Sequence, residues 1–181
     1  MRPAVRPHLN RLNLTELRTI SGCALRVLAD STRTEDIVTG EEIAAQAQLR
    51  YLTRGRIFDS GDGPDLLRDR PSFAGLDLGP LRALPADTLG GAYARFMDHH
   101  GLSTDLYAIP ARYTADPDHA FLMERIRHSH DLWHVLMGFG VEGHEEILVH
   151  AFSLAQTGMP SSILLMLLGS VKHMVLEGRV A

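Results

Sequence analysis

The stretch HSHDLWHVLMGFGVEGHEEILVHAFSLAQ, residues 128–156, combines two apolar-periodic segments with a cluster of histidines and glutamates. Apolar residues recur every three to four positions on both sides of Gly138, Gly140 and Gly143, a spacing typical of helices with one apolar face. Glycine ends helices readily because it adopts the left-handed conformation that follows a last turn. The stretch therefore predicts two helices joined by a short turn, an order compatible with an antiparallel hairpin.

The first of these helices presents two histidines one turn apart. His130 and His134 are four residues apart, so their imidazoles lie on the same face and can reach one ion. Asp131 lies about 100° around the helix from His130 and about 60° from His134, so it can bind the ion or orient a ligand. Mixed nitrogen and oxygen ligands suit zinc, iron or manganese, and the sequence does not choose among these metals. The second helix offers three acids that could complete the site, and spacing leaves the choice open: Glu142, Glu145 and Glu146.

A polar, histidine-rich helix surface is the alternative interpretation. Under it, His99 and His100 belong to a solvated helix end, and Arg127 is expected on a solvated helix face. His150 follows Glu146 by four residues and would face the same way, so its role stays open. Nearby large apolar side chains are expected in the core rather than at a cofactor: Trp133, Leu136 and Phe139.

The rest of the chain predicts an all-α, single-domain, helical bundle-like fold, because no segment alternates as a strand. Residues 1–12 are expected to form a mobile N-terminal arm and residues 13–181 the helical domain. Thr39 and Glu42 resemble a capping box, which predicts a helix from there to about Arg54. Glycines and prolines in residues 55–85 predict a connector with one short helix. Further helices are expected at four places: residues 13–30, 88–100, 116–137 and 142–156, with a last one from about 161.

The composition excludes some classes of function. The chain has 181 residues, which fits one domain with a sizeable core. A net charge of −4 and the lack of a recognisable motif give no basis for a nucleic-acid partner. Cys23 lies in an apolar pattern and is expected to be a small core residue. The apolar run SSILLMLLGSVKHMVL, residues 161–176, is expected to form a buried core helix, with the lining of an apolar groove as the alternative.

Several separated motifs give the chain a specific resemblance. The HDLWH sequence followed by eleven residues and Glu146 resembles the His-Asp-x-x-His…Glu signature of the coenzyme Q (ubiquinone) biosynthesis protein family, the fourth Coq protein and its bacterial relatives. LPADTLGGAYARFM, residues 84–97, is similar to the family's LPxxTxGxxYxxFM segment. FLMERIRHSHDLWHVLMGF, residues 121–139, and QTGMP, residues 156–160, are similar to two further family segments. The similarity covers residues 70–160.

The resemblance implies a ligand set and a chemistry. The family's metal ligands fall on His130, Asp131, His134 and Glu146, and the metal it implies is one divalent ion, zinc by resemblance with iron or manganese as alternatives. The implied function is oxidative decarboxylation of a polyprenylated hydroxybenzoate precursor, in which the ring C1 carboxylate is replaced by a hydroxyl. In that case, a redox-active ion can also activate oxygen, whereas zinc can only orient the carboxylate and stabilise charge. The alternative for the same family is a non-catalytic prenyl-lipid-binding organiser of the other pathway enzymes.

The resemblance also implies partners and a location. The expected partners are a polyprenylated quinone precursor or other isoprenoid lipid, other ubiquinone biosynthesis enzymes and the membrane surface. The expected location is peripheral, on the cytoplasmic side of a bacterial inner membrane, or on the matrix side of the mitochondrial inner membrane in a eukaryote. Family members usually continue beyond the point where this sequence stops, at LEGRVA, so a chain lacking C-terminal helices is expected to form homo-oligomers or contact a membrane.

A phosphohydrolase of the His-Asp class is a third, less favoured hypothesis. That class needs an upstream histidine and a downstream aspartate around its His-Asp pair. His99, His100 and His119 could supply the histidine, but no aspartate follows Asp131 in the sequence.

Overall fold

A computed structural model describes residues 6–54, 58, 61–105 and 112–173, and in these ranges every regular element is a helix. The longer helices are α1 (Leu14–Ala29), α2 (Thr34–Arg54), α5 (Leu89–His100), α6 (Pro117–Met137), α7 (Gly143–Thr157) and α8 (Pro160–Val171). Two short helices, α3 (Gly63–Asp69) and α4 (Gly79–Arg82), lie between α2 and α5. The all-α prediction is confirmed.

The core forms where α2 crosses α6. Its buried members come from both helices and from the turn before α8: Ala45, Leu49, Leu52, Phe121, Leu122, Met123 and Met159. On either side of this core, α1 packs on α2, α7 packs along α8, and α5 packs against α6. The expectation for Cys23 is confirmed, since it is buried on α1. At the N-terminal end, the backbone of His8 and the side chain of Asn10 hydrogen-bond to α2.

Local signals fix most helix ends where the sequence predicts them. Asn13 caps α1 in a capping box with Glu16, and Thr88 caps α5 by accepting a hydrogen bond from the Gly91 N–H. Gly101 ends α5 in the left-handed conformation, with a φ of 64°. These caps satisfy backbone groups that the helix itself leaves without partners.

The predicted start of α2 at Thr39 is wrong, because the helix begins five residues earlier, at Thr34. Its first turn contains Glu35 and Asp36, and acids are favourable near the positive end of a helix. Glu42, taken from the sequence as half of a capping box, is instead buried in the helix interior and bonded to distant residues.

The connector between α2 and α5 contains two short helices rather than the expected single one. Both α3 and α4 carry a proline in the first turn, where the missing N–H costs no hydrogen bond. Part of the connector, residues 55–57 and 59–60, lies outside the described residues.

Helix α8 differs from the expected buried core helix. Within its described residues only Pro160, Ser161 and Ser162 are buried, whereas Leu167 is 61% exposed. Leu165 and Leu168 line a cavity instead. The groove-lining alternative is therefore the one that the structure favours.

Candidate metal centre

The turn between α6 and α7 brings the predicted site together. Gly138 ends α6 with a φ of 71°, and its N–H, like that of Phe139, donates to the His134 carbonyl. Glu142 then caps α7, and the Glu145 carboxylate accepts hydrogen bonds from the backbone N–H groups of Gly140 and Glu142. The turn thus places the start of α7 beside the last turns of α6.

Three side chains converge at this point. His130 Nε2 lies 3.1 Å from Glu146 Oε2 and 3.1 Å from His134 Nε2, and His134 Nε2 lies 3.4 Å from Glu146 Oε1. One ligand atom from each of the three residues falls within 4.8 Å of the others. Two imidazoles and a carboxylate held this closely are a donor set that suits a divalent transition metal.

The orientation of His134 favours metal binding. Its Nδ1 lies 2.9 Å from the Gly140 carbonyl oxygen, which can only accept, so Nδ1 carries the proton when the ring is neutral. The Nε2 lone pair then points towards Glu146 and His130. Phe96 of α5 stacks on the same imidazole with ring centroids 5.5 Å apart, which restricts the ring further. A second hydrogen bond of this kind is the usual means by which proteins orient a metal-binding histidine.

The electrostatics of the three residues favour positive charge between them. Burial alone would raise the pKa of Glu146, but its hydrogen bonds to His130 and His134 lower that pKa to about 2. Burial opposes protonation of His134, and the adjacent Glu146 outweighs it and raises the pKa of the imidazole. A carboxylate that stays ionised beside two imidazoles can be neutralised by a proton or by a metal cation, so the residues fit the ion that the resemblance implies.

Asp131 does not join this group of ligand atoms. It is buried, and burial raises the pKa of its carboxyl to about 6, against the effect of the two histidines. Its charge acts on Tyr93 of α5, where burial and then Asp131 raise the phenol pKa to about 12. The structure therefore brings together three of the four residues predicted as ligands and places the fourth next to them.

Histidines outside the group lie in different surroundings. The His150 ring lies 4.9 Å from the His130 ring, and burial followed by the charge on His130 lowers the pKa of His150 to about 3. His150 is thus a neutral imidazole beside the centre. His99 is exposed, while the His100 ring lies 4.6 Å from the Phe96 ring and is not one of the residues whose ligand atoms converge.

A cavity of about 480 Å³ opens beside the three converging residues. His130 and Glu146 line it, whereas His134 is not among its lining residues. The other polar lining residues include His150, Arg127, Glu41 and Lys172, together with four serines and one threonine. The apolar part of the wall comes from α1, α2, α6, α7 and α8, including Val27, Ile37, Ile126, Ile147, Leu165 and Leu168. A cavity of this size with both polar and apolar walls is typical of a site for a small amphiphilic ligand.

Sequence analysis did not predict the positions of two charged residues that line this cavity. Arg127, expected on a solvated face, is 6% exposed and contacts Glu41 and Glu42 of α2. Glu41 was not predicted at all, because no local pattern indicates that α2 crosses α6 at this point. No helix in the described residues is both long and apolar enough to cross a membrane.

Comparison with known proteins finds relatives that match most of this chain. The family model for "Coenzyme Q (ubiquinone) biosynthesis protein Coq4" matches residues 6–177. Mitochondrial ubiquinone biosynthesis protein COQ4 of Phaeosphaeria nodorum is 34% identical over 160 residues, which is 87% of this chain and 55% of that protein. The human COQ4 homologue is 32% identical over 172 residues, 94% of this chain and 64% of its own length. The chain thus spans 55% and 64% of the length of these two relatives, which is less than two thirds of either.

A solved structure is also similar. The crystal structure of a putative ubiquinone biosynthesis protein from Nostoc punctiforme superposes with a TM-score of 0.64 and 26% identity, covering 90% of this chain and 76% of that one. The match of the family model includes α6 and α7, which contribute the three converging residues, and the helices that line the cavity. On this evidence, the chain belongs to the Coq4 family of coenzyme Q (ubiquinone) biosynthesis proteins.

Proposed function

We propose that this protein is a metal-dependent enzyme of ubiquinone biosynthesis that replaces the ring C1 carboxylate of a polyprenylated hydroxybenzoate with a hydroxyl. The observation that carries the proposal is the convergence of His130, His134 and Glu146 beside a cavity that has both polar and apolar walls, with His130 and Glu146 lining it. The polar side is suited to the substituted ring, and the apolar wall is suited to the first part of the prenyl tail.

In this proposal one divalent ion is held by His130, His134 and Glu146, with Asp131 as a further ligand or as the residue that orients them. The ion, when bound, supplies a Lewis acid for the ring substituents, and a redox-active metal in addition provides one-electron chemistry. Iron or manganese would provide both functions, whereas zinc would provide only the first.

The residues of the chain prepare the cavity for this chemistry. Gly140 holds His134 in one tautomer, so that its Nε2 faces the ligand rather than solvent. His150 remains neutral at pH 7 and offers a hydrogen-bonding group without adding charge. A ligand that displaces water from the apolar part of the cavity would strengthen the electrostatic interactions with its ring. Loss of the carboxylate as CO₂ with gain of a hydroxyl is a two-electron oxidation, so the reaction needs an oxidant that supplies oxygen.

The site of action that we propose is a membrane surface, since the substrate carries a long isoprenoid tail. The relatives from Phaeosphaeria nodorum and from human are named as mitochondrial. Association with the other enzymes of the pathway and assembly into homo-oligomers belong to the same proposal.

A role as a non-catalytic organiser that presents prenyl lipids to other enzymes is the second proposal. It draws support from the large apolar residues that α6, α7 and α8 leave exposed: Leu136, Leu148, Leu167 and Val171. A surface of this kind is suited to contact with partner proteins or lipid.

Complementation separates the two proposals. In a strain that lacks this gene, a folded His134→Ala copy is expected to accumulate the C1-carboxylated precursor, and a His144→Ala copy, which changes an exposed histidine, is expected to restore ubiquinone. Both copies are checked for abundance and for association with the pathway enzymes. Normal ubiquinone synthesis by the His134→Ala copy would refute the catalytic proposal and leave the organiser.

A further inference from the structure

Arg127 is a buried arginine whose contacts with its present partners are long. Its Nε lies 3.3 Å from Glu41 Oε2, and its Nη2 lies 3.4 Å from Glu42 Oε1 and 3.4 Å from the Val38 carbonyl. Charge-assisted N–H···O bonds are usually about 2.7–2.9 Å long, and arginine binds carboxylates best through two parallel bonds. Each glutamate here meets the guanidinium through one long contact, so neither uses its bidentate capacity.

The two glutamates that contact Arg127 have different roles. Glu42 Oε2 accepts hydrogen bonds from the backbone N–H groups of Arg112 and Tyr113, at 2.8 and 2.9 Å. Its side chain is 1% exposed, and its carboxylate ties α2 to the segment before α6. Glu41 lines the cavity, its side chain is 16% exposed, and its only hydrogen bond within the described residues is the one to Arg127. Glu42 is thus part of the framework, whereas Glu41 is replaceable.

The position of Arg127 relative to the metal centre is set by α6. Arg127 and His130 are three residues apart, so they lie on the same face of the helix, and both line the cavity. An aromatic ring with a carboxylate that binds beside His130 therefore lies on the side of the cavity that also contains the Arg127 guanidinium. Within the described residues, Arg127 is also the cavity-lining cation nearest in sequence to the metal centre, since the other, Lys172, lies at the end of α8 and contacts Ser31.

We propose that Arg127 is the carboxylate-binding residue of the cavity, and that Glu41 holds its guanidinium until the carboxylate of the ligand takes the place of Glu41. This inference rests on the proposed function for the identity of the ligand as an acidic aromatic lipid. It assigns Arg127 a role in specificity: the cavity accepts the carboxylated precursor and binds a neutral analogue of the same shape less tightly. Once the carboxylate has been lost, the product gives up this contact, and its release becomes easier.

The test compares the affinities of two ligands for the wild type and for two variants. Calorimetry measures the affinity of the metal-loaded protein for a short-tailed prenylated hydroxybenzoate and for the corresponding carboxamide, which is neutral. The wild type is expected to prefer the acid roughly tenfold. Glu41→Gln removes the competing charge and is expected to bind the acid roughly tenfold more tightly with little change for the amide. Arg127→Lys keeps a charge beside Glu42 but loses the planar fork, and is expected to lose most of the preference.

Controls separate this inference from the proposed function. Glu35→Gln makes the same charge change at an exposed position of α2 and is expected to leave the preference unchanged. Equal affinity of the wild type for acid and amide, or an unchanged preference in Glu41→Gln and Arg127→Lys, would overturn the inference while leaving the metal-dependent reaction intact. Failure of both ligands to bind any form would contradict the inference and the proposed substrate together.

Discussion

At the scale of single residues, the three glutamates at the start of α7 show how similar side chains divide between structure and chemistry. Glu142 caps the helix, and Glu145 completes the capping box and holds Gly140. Only Glu146 reaches His130 and His134. Spacing left the choice among them open, because all three are within one helical turn. The resemblance to the family selected Glu146, and the structure brings that residue to the histidines.

A second charged cluster, around Asp36, fixes the junction of α1 and α2. The Asp36 carboxylate accepts hydrogen bonds from Arg26, at 2.6 Å to Nη2, and from Arg33. The hydrogen bond from Arg26 holds the pKa of Asp36 well below its usual range, against the effect of burial. A group with a lowered pKa stabilises the fold above its unfolded-state pKa and loses that effect as the pH falls through the folded-state value.

Asp36→Asn is therefore expected to lower the melting temperature at pH 7 by roughly 2–4 °C. The difference from the wild type should shrink as the pH falls below about 4, the pKa of an aspartate in an unfolded chain. Thermal unfolding followed by circular dichroism across that pH range measures it. Asp69→Asn, in an exposed pair with Arg68, serves as the control and should change little at any pH. A difference that persists unchanged at pH 3 would contradict this account of Asp36.

At the scale of helices, the sequence predicted most boundaries within one residue, and it missed the start of α2 and one short helix. The ends of α5 and α6 were predictable because Thr88, Gly101 and Gly138 act locally. The start of α2 was not predictable from the Thr39 and Glu42 pattern, because Glu42 is held by Arg127 and by the backbone of Arg112 and Tyr113, which are distant in sequence. Long-range contacts of this kind override a local cap signal.

Helix α5 depends on a close approach of its first turn to the preceding loop. A Cβ added at Gly91 would lie 2.3 Å from the Pro85 carbonyl oxygen, a backbone atom. Gly40, within α2, has nothing within 4 Å of the same added atom. One glycine is thus required by packing, and the other is required by nothing in the described structure.

Gly91→Ala is expected to destabilise the protein by about 1–3 kcal/mol, because the loop or the helix must move to admit the methyl group. Gly40→Ala is expected to stabilise it by about 0.4–1 kcal/mol, because alanine has fewer unfolded conformations. Urea denaturation measures both. A Gly91→Ala variant that is as stable as the wild type, or more stable, would show that the approach of α5 to Pro85 is not the reason for the glycine.

At the scale of the whole molecule, the cavity is the feature that sequence analysis could predict least. Its polar residues come from α2, α6, α7 and both ends of α8, and its apolar wall includes α1 and α8. The periodicity of α8 could not decide between core and groove, since both need an apolar face. Only the packing of α8 along α7 and against α2 shows which of its leucines face the cavity.

Adjacent leucines of α8 provide a direct test of the cavity. Leu168 lines it, whereas Leu167 is 61% exposed. Leu168→Trp fills the apolar part and is expected to weaken binding of a prenylated hydroxybenzoate at least tenfold, whereas Leu167→Trp is expected to change the affinity less than twofold. Fluorescence titration measures both affinities. Equal effects of the two substitutions would place the lipid outside the cavity.

We propose that His130, His134 and Glu146 bind one divalent metal ion. Native mass spectrometry of the purified protein, with elemental analysis of the same sample, tests it most directly because it reports metal content and subunit number together. We predict one ion per chain in the wild type and in Glu145→Gln, and its loss in Glu146→Gln. Metal retained at full stoichiometry in Glu146→Gln, or a wild type that takes up no transition metal from a buffer containing it, would contradict the account.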